Sequence, residues 1–265
     1  MSTWLLLRGL TREAAHWGAF PAMLRDALPG ARVIAIDLPG NGGLNGERSP
    51  ARIEDTVESC RRELRKLAIE EPVCLLAMSL GAMVAIEWAR RYPDELAACA
   101  LVNTSVRPFS PWYQRLRPSN FGALTRLFMP GQGDRQREQT ILRMTTRHPQ
   151  QRAAVIDEWT DLRQARRVDA ANALRQLIAA ARYRAPAEAP AVPLLVLASQ
   201  CDALVNVQCS RALARAWGLA IALHPTAGHD LPLDDGPWLA REIAQWAGLS
   251  FTCGRQPGAA RFPSG

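Results

Sequence analysis

Hydrophobic positions along the chain change their spacing repeatedly, from unbroken apolar runs to apolar residues that recur every three or four positions. The unbroken runs predict buried strands, and the wider spacing predicts amphipathic helices. The predicted strands are residues 3–7, 32–37, 73–78, 96–102, 194–198 and 219–224. The helices predicted between and after them are residues 16–28, 53–69, 80–92, 207–217 and 237–246. This alternation predicts an α/β fold, with a mostly parallel central sheet that is covered by helices on both faces.

The alternation stops between residues 104 and 185, where the pattern predicts helices alone. These helical segments are residues 111–128, which a proline interrupts, and residues 134–147, 150–166 and 169–183. We therefore expect one core domain, built from residues 1–103 and 186–248, with a helical insertion at residues 104–185. The chain of 265 residues is long enough for one such core. Residues 249–265 show little periodicity and are expected to form a disordered tail.

Composition narrows the class of protein further. Hydrophobic residues make up 48% of the chain and charged residues 22%, which is typical of globular domains. Because no apolar run has the length of a secretory leader core or a membrane span, we expect a cytoplasmic protein without a membrane span. The cysteines form no C-x-x-C pair, which favours reduced thiols over a zinc site or a disulfide framework. They are Cys60, Cys74, Cys99, Cys201, Cys209 and Cys253.

The net charge of +7 is carried almost wholly by arginine, since Lys66 is the only lysine. Residues 104–185 contain 15 arginines and 6 acidic residues, whereas the remainder contains 17 basic and 19 acidic residues. These arginines could simply solvate exposed helix faces. The sharper hypothesis is that they attract an anionic substrate or an acidic carrier protein. Because no nucleic-acid-binding motif accompanies the charge, we expect no nucleic-acid partner.

The most informative stretch is Val-Cys-Leu-Leu-Ala-Met-Ser-Leu-Gly at residues 73–81. It predicts a buried strand, a sharp turn that carries Ser79, and then a helix. Ala77 and Gly81 are small, as such a turn requires where strand and helix backbones approach closely. A hydroxyl at a helix N-terminus lies beside unpaired N–H groups that favour developing negative charge. Ser79 is therefore a candidate nucleophile, although a similar short string also occurs by chance in unrelated proteins.

This stretch resembles the nucleophile elbow of the α/β-hydrolase family, G-x-S-x-G, with Ala77 in place of the first glycine. Residues 37–42, Asp-Leu-Pro-Gly-Asn-Gly, also resemble the loop after a central strand in capped α/β-hydrolases. The chain is similar to the capped carboxylesterase-like branch, which includes the pimeloyl-carrier-protein methyl ester esterases. The resemblance covers residues 3–247. It implies an α/β-hydrolase fold, a cap over the active site at residues 104–185, and a serine hydrolase without cofactor or metal.

A serine hydroxyl needs an imidazole base that is itself oriented by a carboxylate. The family's chain order of Ser, Asp and His implies Asp202, after the strand at residues 194–198, and His229, in the Gly-His turn after the last strand. The other three histidines lie before the serine, in the insertion, or inside a strand. Two alternatives remain open. His229 could cap the final helix, and Asp202 could be an Asx-turn residue.

The resemblance also implies an oxyanion hole made of two backbone N–H groups, those of Leu80 and Leu10. Arg8 precedes Gly9 where most relatives have a histidine, and it could bear on substrate charge or on loop anchoring. Five large apolar residues of the insertion could line an acyl pocket or form the core of the insertion. They are Trp112, Tyr113, Phe121, Phe128 and Met129.

The expected function is hydrolysis of a small-molecule carboxylic ester through an acyl-enzyme, with an anionic or carrier-bound ester as the sharper hypothesis. A thioesterase and a carbon–carbon bond hydrolase would use the same three residues. A ligand-binding receptor of this fold, with little turnover, is an alternative of a different class. The sequence leaves the acyl group, the alcohol group and the oligomeric state open.

Overall fold

The computed structural model describes residues 2–129 and 131–252. Six strands form one sheet in the order β2-β1-β3-β4-β5-β6, and each neighbouring pair is parallel. The strands are β1 (Thr3–Leu7), β2 (Arg32–Ile36), β3 (Val73–Met78), β4 (Leu96–Val102), β5 (Leu194–Ser199) and β6 (Ile221–His224). The predicted α/β fold with a parallel sheet is confirmed.

Ten α-helices accompany these strands in the described part of the chain. They are α1 (Phe20–Ala27), α2 (Ile53–Lys66), α3 (Leu80–Arg91), α4 (Trp112–Arg115), α5 (Phe121–Phe128), α6 (Asp134–Thr145), α7 (Val155–Ala165), α8 (Ala170–Arg182), α9 (Gln208–Trp217) and α10 (Leu231–Thr252). Short 3₁₀ helices lie at Ala14–Trp17, Gly42–Leu44, Pro93–Glu95 and Pro118–Asn120.

Both faces of the sheet are covered, and alternate residues of each central strand face opposite sides. On β1, Leu5 and Leu7 pack in one apolar cluster with residues of α2 and α3. Trp4 and Leu6 pack in the other cluster with residues of α1 and α10. Every residue of β3 is buried, because the strand has a helix layer above and below it. The unbroken apolar runs of the sequence are therefore strands without a solvent-facing side.

The described residues between β4 and β5 contain α4 to α8 and no strand longer than one isolated bridge, between Arg107 and Arg184. Helices α6 and α7 share a small apolar cluster formed by Ile141, Leu142, Ile156 and Trp159. This cluster is separate from the two clusters that flank the sheet. The segment thus contains an apolar core of its own, as a helical insertion would.

Several predicted helices differ from the observed ones. The helical segment predicted at residues 111–128 forms α4, the 3₁₀ turn at Pro118–Asn120 and α5, and the helix predicted at residues 150–166 begins only at Val155. The predicted helix at residues 16–28 is divided, because Gly18 adopts a φ of 51° and separates the Ala14–Trp17 turn from α1. The final helix is longer than predicted: α10 runs from Leu231 to Thr252, with a break at Asp235 just before Pro237. Residues 249–252 of the expected tail therefore belong to α10, and residues 253–265 lie outside the described residues. None of the helices described is long and apolar enough to cross a bilayer.

Candidate active site

Ser79 lies at the carboxyl end of β3, immediately before the first residue of α3. Its backbone has a φ of 56° and a ψ of −114°, in a region that residues with a side chain rarely adopt. Hydrogen bonds fix both the N–H and the carbonyl group of Ser79. The Ser79 N–H donates to the Val102 carbonyl at 2.9 Å, and the Thr104 hydroxyl donates to the Ser79 carbonyl at 3.0 Å. The strain at Ser79 is thus maintained by the neighbouring strand β4.

Two glycines allow the loop after β1 to approach this turn. A Cβ atom at Gly81 would lie 2.6 Å from the carbonyl oxygens of both Leu7 and Arg8. A Cβ atom at Gly9 would lie 3.2 Å from the Ser79 Cβ and 3.6 Å from the Ser79 Oγ. The contact between α3 and the end of β1 therefore explains why a small residue is required after the serine.

Asp202 and His229 form a buried pair. The Asp202 Oδ2 and the His229 Nδ1 are 2.7 Å apart, and the two residues are 2% and 4% exposed. The other carboxylate oxygen of Asp202 accepts hydrogen bonds from the Leu204 N–H at 2.8 Å and the Val205 N–H at 2.9 Å. Asp202 therefore makes the Asx-type turn of the alternative interpretation and contacts the histidine as well. One carboxylate performs both tasks with different oxygens.

Asn103 joins the three strand ends that carry these residues. Its amide nitrogen donates to the His229 carbonyl at 2.8 Å and to the Ser199 hydroxyl at 3.1 Å. Its amide oxygen accepts the Ser199 N–H at 2.8 Å. In the sequence this position is only the residue that follows a predicted strand. The signal that could have identified it is chemical, since asparagine tolerates the φ of 47° found here.

Arg8 and Asp230 form a second buried pair beside the first. The two guanidinium nitrogens of Arg8 donate to the two carboxylate oxygens of Asp230 at 2.7 and 3.1 Å, and the Arg8 guanidinium also lies over the Trp17 ring. Both side chains are almost wholly buried. Of the two roles left open for Arg8, the structure supports loop anchoring, because the pair ties the loop after β1 to the loop that carries His229.

Burial alone raises the pKa of the Asp230 carboxyl. The charge and hydrogen bonds of Arg8 outweigh this effect, so the pKa lies below its ordinary value. Asp230 is therefore a carboxylate at neutral pH, and its negative charge lies next to His229 in the sequence.

The loop that carries His229 also packs against the segment between β4 and β5. The Asp230 N–H donates to the Thr145 carbonyl at 2.7 Å. Asp234 accepts hydrogen bonds from the Gly228 N–H at 2.6 Å and from the Arg147 N–H at 3.1 Å. The end of α6 and the histidine loop are thus fixed to each other.

Two of the remaining histidines have structural partners. The His224 Nδ1 accepts the Ala227 N–H at 2.8 Å, and its Nε2 lies 3.1 Å from Asp235. The His16 Nδ1 accepts the Glu13 N–H at 3.1 Å. Burial, and then the positive charge of Arg12, lowers the pKa of His16 far below its ordinary value. These rings are occupied by contacts away from the serine.

Two adjoining cavities open around Ser79. A small cavity of about 110 Å³ is lined by Ser79, His229, Gly9 and Leu10 among others, so the serine and the histidine face one space. A larger cavity of about 790 Å³ is also lined by Ser79 and Leu10, and we call it the apolar cavity. Its remaining walls come mainly from apolar residues of α3, α4, α5 and α8. They include Met83, Trp112, Leu116, Phe121, Leu177 and Ala180.

The five large apolar residues that could line an acyl pocket do not share one environment. Trp112 and Phe121 line the apolar cavity and stack on each other, although Trp112 is 66% exposed. Tyr113 and Met129 are exposed and lie outside the walls of that cavity. The side chain of Phe128 lies outside the described part of the structure. The two that line the cavity thus contribute its outer wall.

Leu80 and Leu10 both lie next to Ser79. Leu80 is the first residue of α3, so its N–H is one of the first-turn donors that have no acceptor inside the helix. Leu10 follows Gly9 in the loop after β1 and lines both cavities around the serine. Leu10, Leu80 and Ser79 thus line one cavity.

Among the described residues, no group of three or more His, Cys, Asp and Glu side chains is arranged to hold a metal ion. The five cysteines in this part of the chain are free thiols, and burial raises the pKa of Cys60 to about 12.

Comparison with known proteins matches residues 8–236 to the family model described as serine aminopeptidase, S33. The chain belongs to the serine aminopeptidase S33 family. It is thus an enzyme of the α/β-hydrolase superfamily, and the resemblance seen in the sequence motifs is confirmed. A curated relative of this S33 chain is a pimeloyl-[acyl-carrier protein] methyl ester esterase from Methylococcus capsulatus, 33% identical over 98 residues. The match covers 37% of this chain and only 35% of the relative's length.

Solved structures similar to this S33 family member are also α/β-hydrolases. A putative lipase from Acinetobacter baumannii has a TM-score of 0.75 at 21% identity, covering 95% of this chain and 85% of that one. An enol-lactonase from Burkholderia xenovorans has a TM-score of 0.77 at 18% identity, covering 93% and 91%. A thermophilic esterase from Thermogutta terrifontis has a TM-score of 0.69 at 22% identity, covering 94% and 90%. At such identities these similarities show the fold alone.

Proposed function

We propose that this protein hydrolyses carboxylic esters through an acyl-enzyme intermediate formed on Ser79. The observation that carries the proposal is the buried Asp202–His229 pair, whose histidine faces the same cavity as Ser79 at the N-terminus of α3. A hydroxyl, an imidazole and a buried carboxylate in this relation are the groups that acyl transfer needs.

Each group has a defined task in the proposed reaction. The Ser79 Oγ attacks the ester carbonyl while the His229 Nε2 accepts the hydroxyl proton. Asp202, hydrogen-bonded at Nδ1, orients the ring and stabilises its protonated form. The backbone N–H groups of Leu80 and Leu10 stabilise the oxyanion. His229 then gives its proton to the leaving alcohol, and water attacks the acyl-enzyme by the same route in reverse.

Residues 104–185 would serve as a cap in this scheme. The apolar cavity lies between Ser79 on the core and α4, α5 and α8 of the insertion, so an acyl or alkyl chain would bind there. Its volume of about 790 Å³ lies in the ordinary range for small-molecule sites. An ester with a chain of several methylenes, and no cofactor, suits this space.

The name of the S33 family, serine aminopeptidase, indicates a competing function. This function is the removal of N-terminal residues from peptides. Such a substrate carries a free ammonium group, which a site binds with carboxylates. None of the residues lining the apolar cavity is acidic, and the Asp230 carboxylate in the adjoining cavity is paired with Arg8. Both observations favour an ester over an aminoacyl peptide. The methyl ester esterase activity printed for the curated relative supports the same preference.

Substitution of the three proposed catalytic residues tests this function. We expect Ser79→Ala and His229→Ala to lower kcat for p-nitrophenyl butyrate by roughly 10⁴ to 10⁶, and Asp202→Asn by about 10⁴. Double variants should lose no more than the worst single variant, because the three groups act as a unit. Steady-state kinetics on folded variants, checked by circular dichroism, provide the measurement.

Ser119→Ala is the matched control, since Ser119 is an exposed serine of a 3₁₀ turn remote from Ser79 in sequence. It should leave kcat unchanged. Retention of esterase activity in folded Ser79→Ala would exclude the proposed mechanism. Faster turnover of alanine p-nitroanilide than of any ester in a chain-length series would favour the peptidase function instead.

A further inference from the structure

Three arginines lie on the wall of the apolar cavity together with the apolar side chains. They are Arg107, after β4, Arg115, at the end of α4, and Arg184, after α8. Because no lining residue is acidic, the cavity combines a mostly apolar surface with positive charge alone. A purely apolar substrate would give these charges nothing to bind.

The fold holds two of these arginines side by side. Arg107 and Arg184 form an isolated parallel β-bridge, and the Ala185 N–H donates to the Arg107 carbonyl at 2.7 Å. Both residues are exposed and both line the cavity. Positive charges carried by paired backbones repel each other, and an anion bound between them would offset that repulsion.

Arg115 is the more buried member of the group. Its terminal nitrogens donate to the Ala180 carbonyl at 2.6 Å and to the Ala181 carbonyl at 3.5 Å, whereas its buried Nε has no partner. Burial lowers the pKa of Arg115, and the positive charge of Arg107 lowers it further. One buried donor of Arg115, its Nε, therefore remains available.

These three arginines have no ion-pair partner among the described Asp and Glu residues, in contrast to others of the same segment. Arg163 pairs with Glu138 at 2.5 Å, Arg166 with Glu13 at 2.5 Å, and Arg167 with Asp134 at 2.6 Å. Their guanidinium groups are thus not neutralised by a carboxylate on the wall of the apolar cavity. Arginines of this kind beside a cavity are suited to bind an anionic group.

We propose that the substrate is an ester whose apolar chain ends in an anionic group, with Arg107, Arg115 and Arg184 binding that group. The chain would occupy the apolar cavity between the arginines and Ser79. This inference rests on the proposed esterase function, because it defines the two ends of the substrate by their positions relative to Ser79. Carboxylate is the simplest anion of this kind, and arginine binds carboxylates through paired hydrogen bonds.

The first test compares p-nitrophenyl esters of one chain length that differ only in the terminal group. We expect kcat/KM to be highest for the carboxylate-ended acyl chain, lower for the methyl-ended chain, and lowest for the ammonium-ended chain. A series of chain lengths should show a sharp optimum for the carboxylate-ended esters, because only one length reaches from Ser79 to the arginines. Added salt should lower kcat/KM for the anionic ester more than for the neutral one.

The second test removes the positive charges. The double variant Arg107→Gln and Arg184→Gln changes two exposed side chains, and Arg115→Gln changes the third. Each should reduce the ratio of kcat/KM between the carboxylate-ended and methyl-ended esters by about tenfold to a hundredfold, mainly through KM. Arg143→Gln is the matched control: it removes one exposed arginine of α6 outside the apolar cavity and should leave the ratio unchanged.

The possible failures are distinguishable. If Ser79→Ala retains turnover of the methyl-ended ester, the proposed esterase function is wrong. If turnover depends on Ser79 but the double variant keeps the wild-type ratio, the anion site is wrong and the esterase function stands. An equal loss for both esters in the double variant would likewise overturn the anion site. If Arg143→Gln lowers the ratio as much as the double variant does, the overall positive charge of the protein, rather than this cluster, produces the preference.

Discussion

At the scale of single residues, the pair formed by Arg8 and Asp230 is the feature that the sequence could not define. The two residues are 222 positions apart, and their side chains bury one full charge each beside the proposed catalytic histidine. The sequence identified Arg8 as a departure from its relatives and left two roles open. Only the fold, which brings the loops after β1 and β6 together, decides between them.

Removal of one member of this pair should be strongly destabilising. Asp230→Asn or Arg8→Met leaves a buried charge without its partner, so we expect a loss of about 3 to 5 kcal/mol in the free energy of unfolding. The double variant Arg8→Met with Asp230→Leu should lose less than either single variant, since it leaves no unpaired charge. Urea denaturation at pH 7 measures all three. A double variant that is less stable than both single variants would contradict this account.

The same pair predicts a pH dependence. Because the pKa of folded Asp230 lies below its ordinary value, the carboxylate stabilises the fold fully above the unfolded pKa of about 4. That stabilisation is lost as pH falls through the folded pKa. The stability difference between the wild type and Asp230→Asn should therefore be constant above about pH 5 and should shrink below about pH 4. A difference that grows on acidification would contradict the assignment.

At the scale of elements, the junction between β3 and α3 determines the geometry around Ser79. The sequence predicted the strand, the turn and the helix in their observed places, because a continuous apolar run followed by helical spacing has few other interpretations. It could not predict that the carbonyls of Leu7 and Arg8 approach Gly81 so closely. That contact depends on the pairing of β1 with β3, which is a property of the sheet.

Gly81→Ala should therefore disrupt the junction. The added methyl would lie 2.6 Å from two backbone oxygens, which cannot move without displacing β1 or α3. We expect a loss of about 1 to 3 kcal/mol in stability and a larger relative loss of esterase activity, since the strain falls beside Ser79. Thermal unfolding and kinetics on the same sample measure both effects.

Gly122→Ala is the matched control for this substitution. Gly122 is in α5, and nothing lies within 4 Å of a Cβ atom built there. The change should leave the protein as stable as the wild type, or more stable by about 0.5 to 1 kcal/mol, because alanine favours a helix. If Gly81→Ala behaves like Gly122→Ala, the close approach at the junction has no energetic importance.

Helix boundaries were predicted less well than helix positions. The break at Gly18 depends on its backbone φ of 51°, whereas the early start of α10 at Leu231 depends on contacts from a distant segment. At the start of α10, for example, Asp234 accepts hydrogen bonds from Gly228 and from Arg147 of the insertion. The local hydrophobic pattern contains no information about such a distant partner. The proline at position 237 instead favours a later start of the helix.

At the scale of the whole molecule, polar contacts connect the insertion firmly to the core. Glu138 of α6 is buried and lies between Arg12 of the core, at 2.6 Å, and Arg163 of α7, at 2.5 Å. Gln176 of α8 accepts the Thr11 N–H and donates to Asn41. Helices α6 and α8 are thus held against the loops beside Ser79, and α8 contributes one fixed wall of the apolar cavity.

The distribution of charge over the whole chain was visible in the sequence, but its meaning required the structure. Counting alone located the surplus of arginine in residues 104–185. It could not separate arginines that pair with carboxylates, such as Arg163, from those that line the apolar cavity, such as Arg115. The candidate catalytic residues were more accessible to sequence reasoning, since motifs and chain order identify them together.

Covalent labelling with a fluorophosphonate probe, followed by peptide mass spectrometry, tests most directly whether Ser79 is the nucleophile. A fluorophosphonate reacts with an activated serine and leaves unactivated serines untouched. We expect a single adduct on Ser79. Labelling should be absent from Ser79→Ala, strongly slowed in His229→Ala and unaffected in Ser119→Ala. An adduct on any other residue, or undiminished labelling of folded Ser79→Ala, would contradict this expectation.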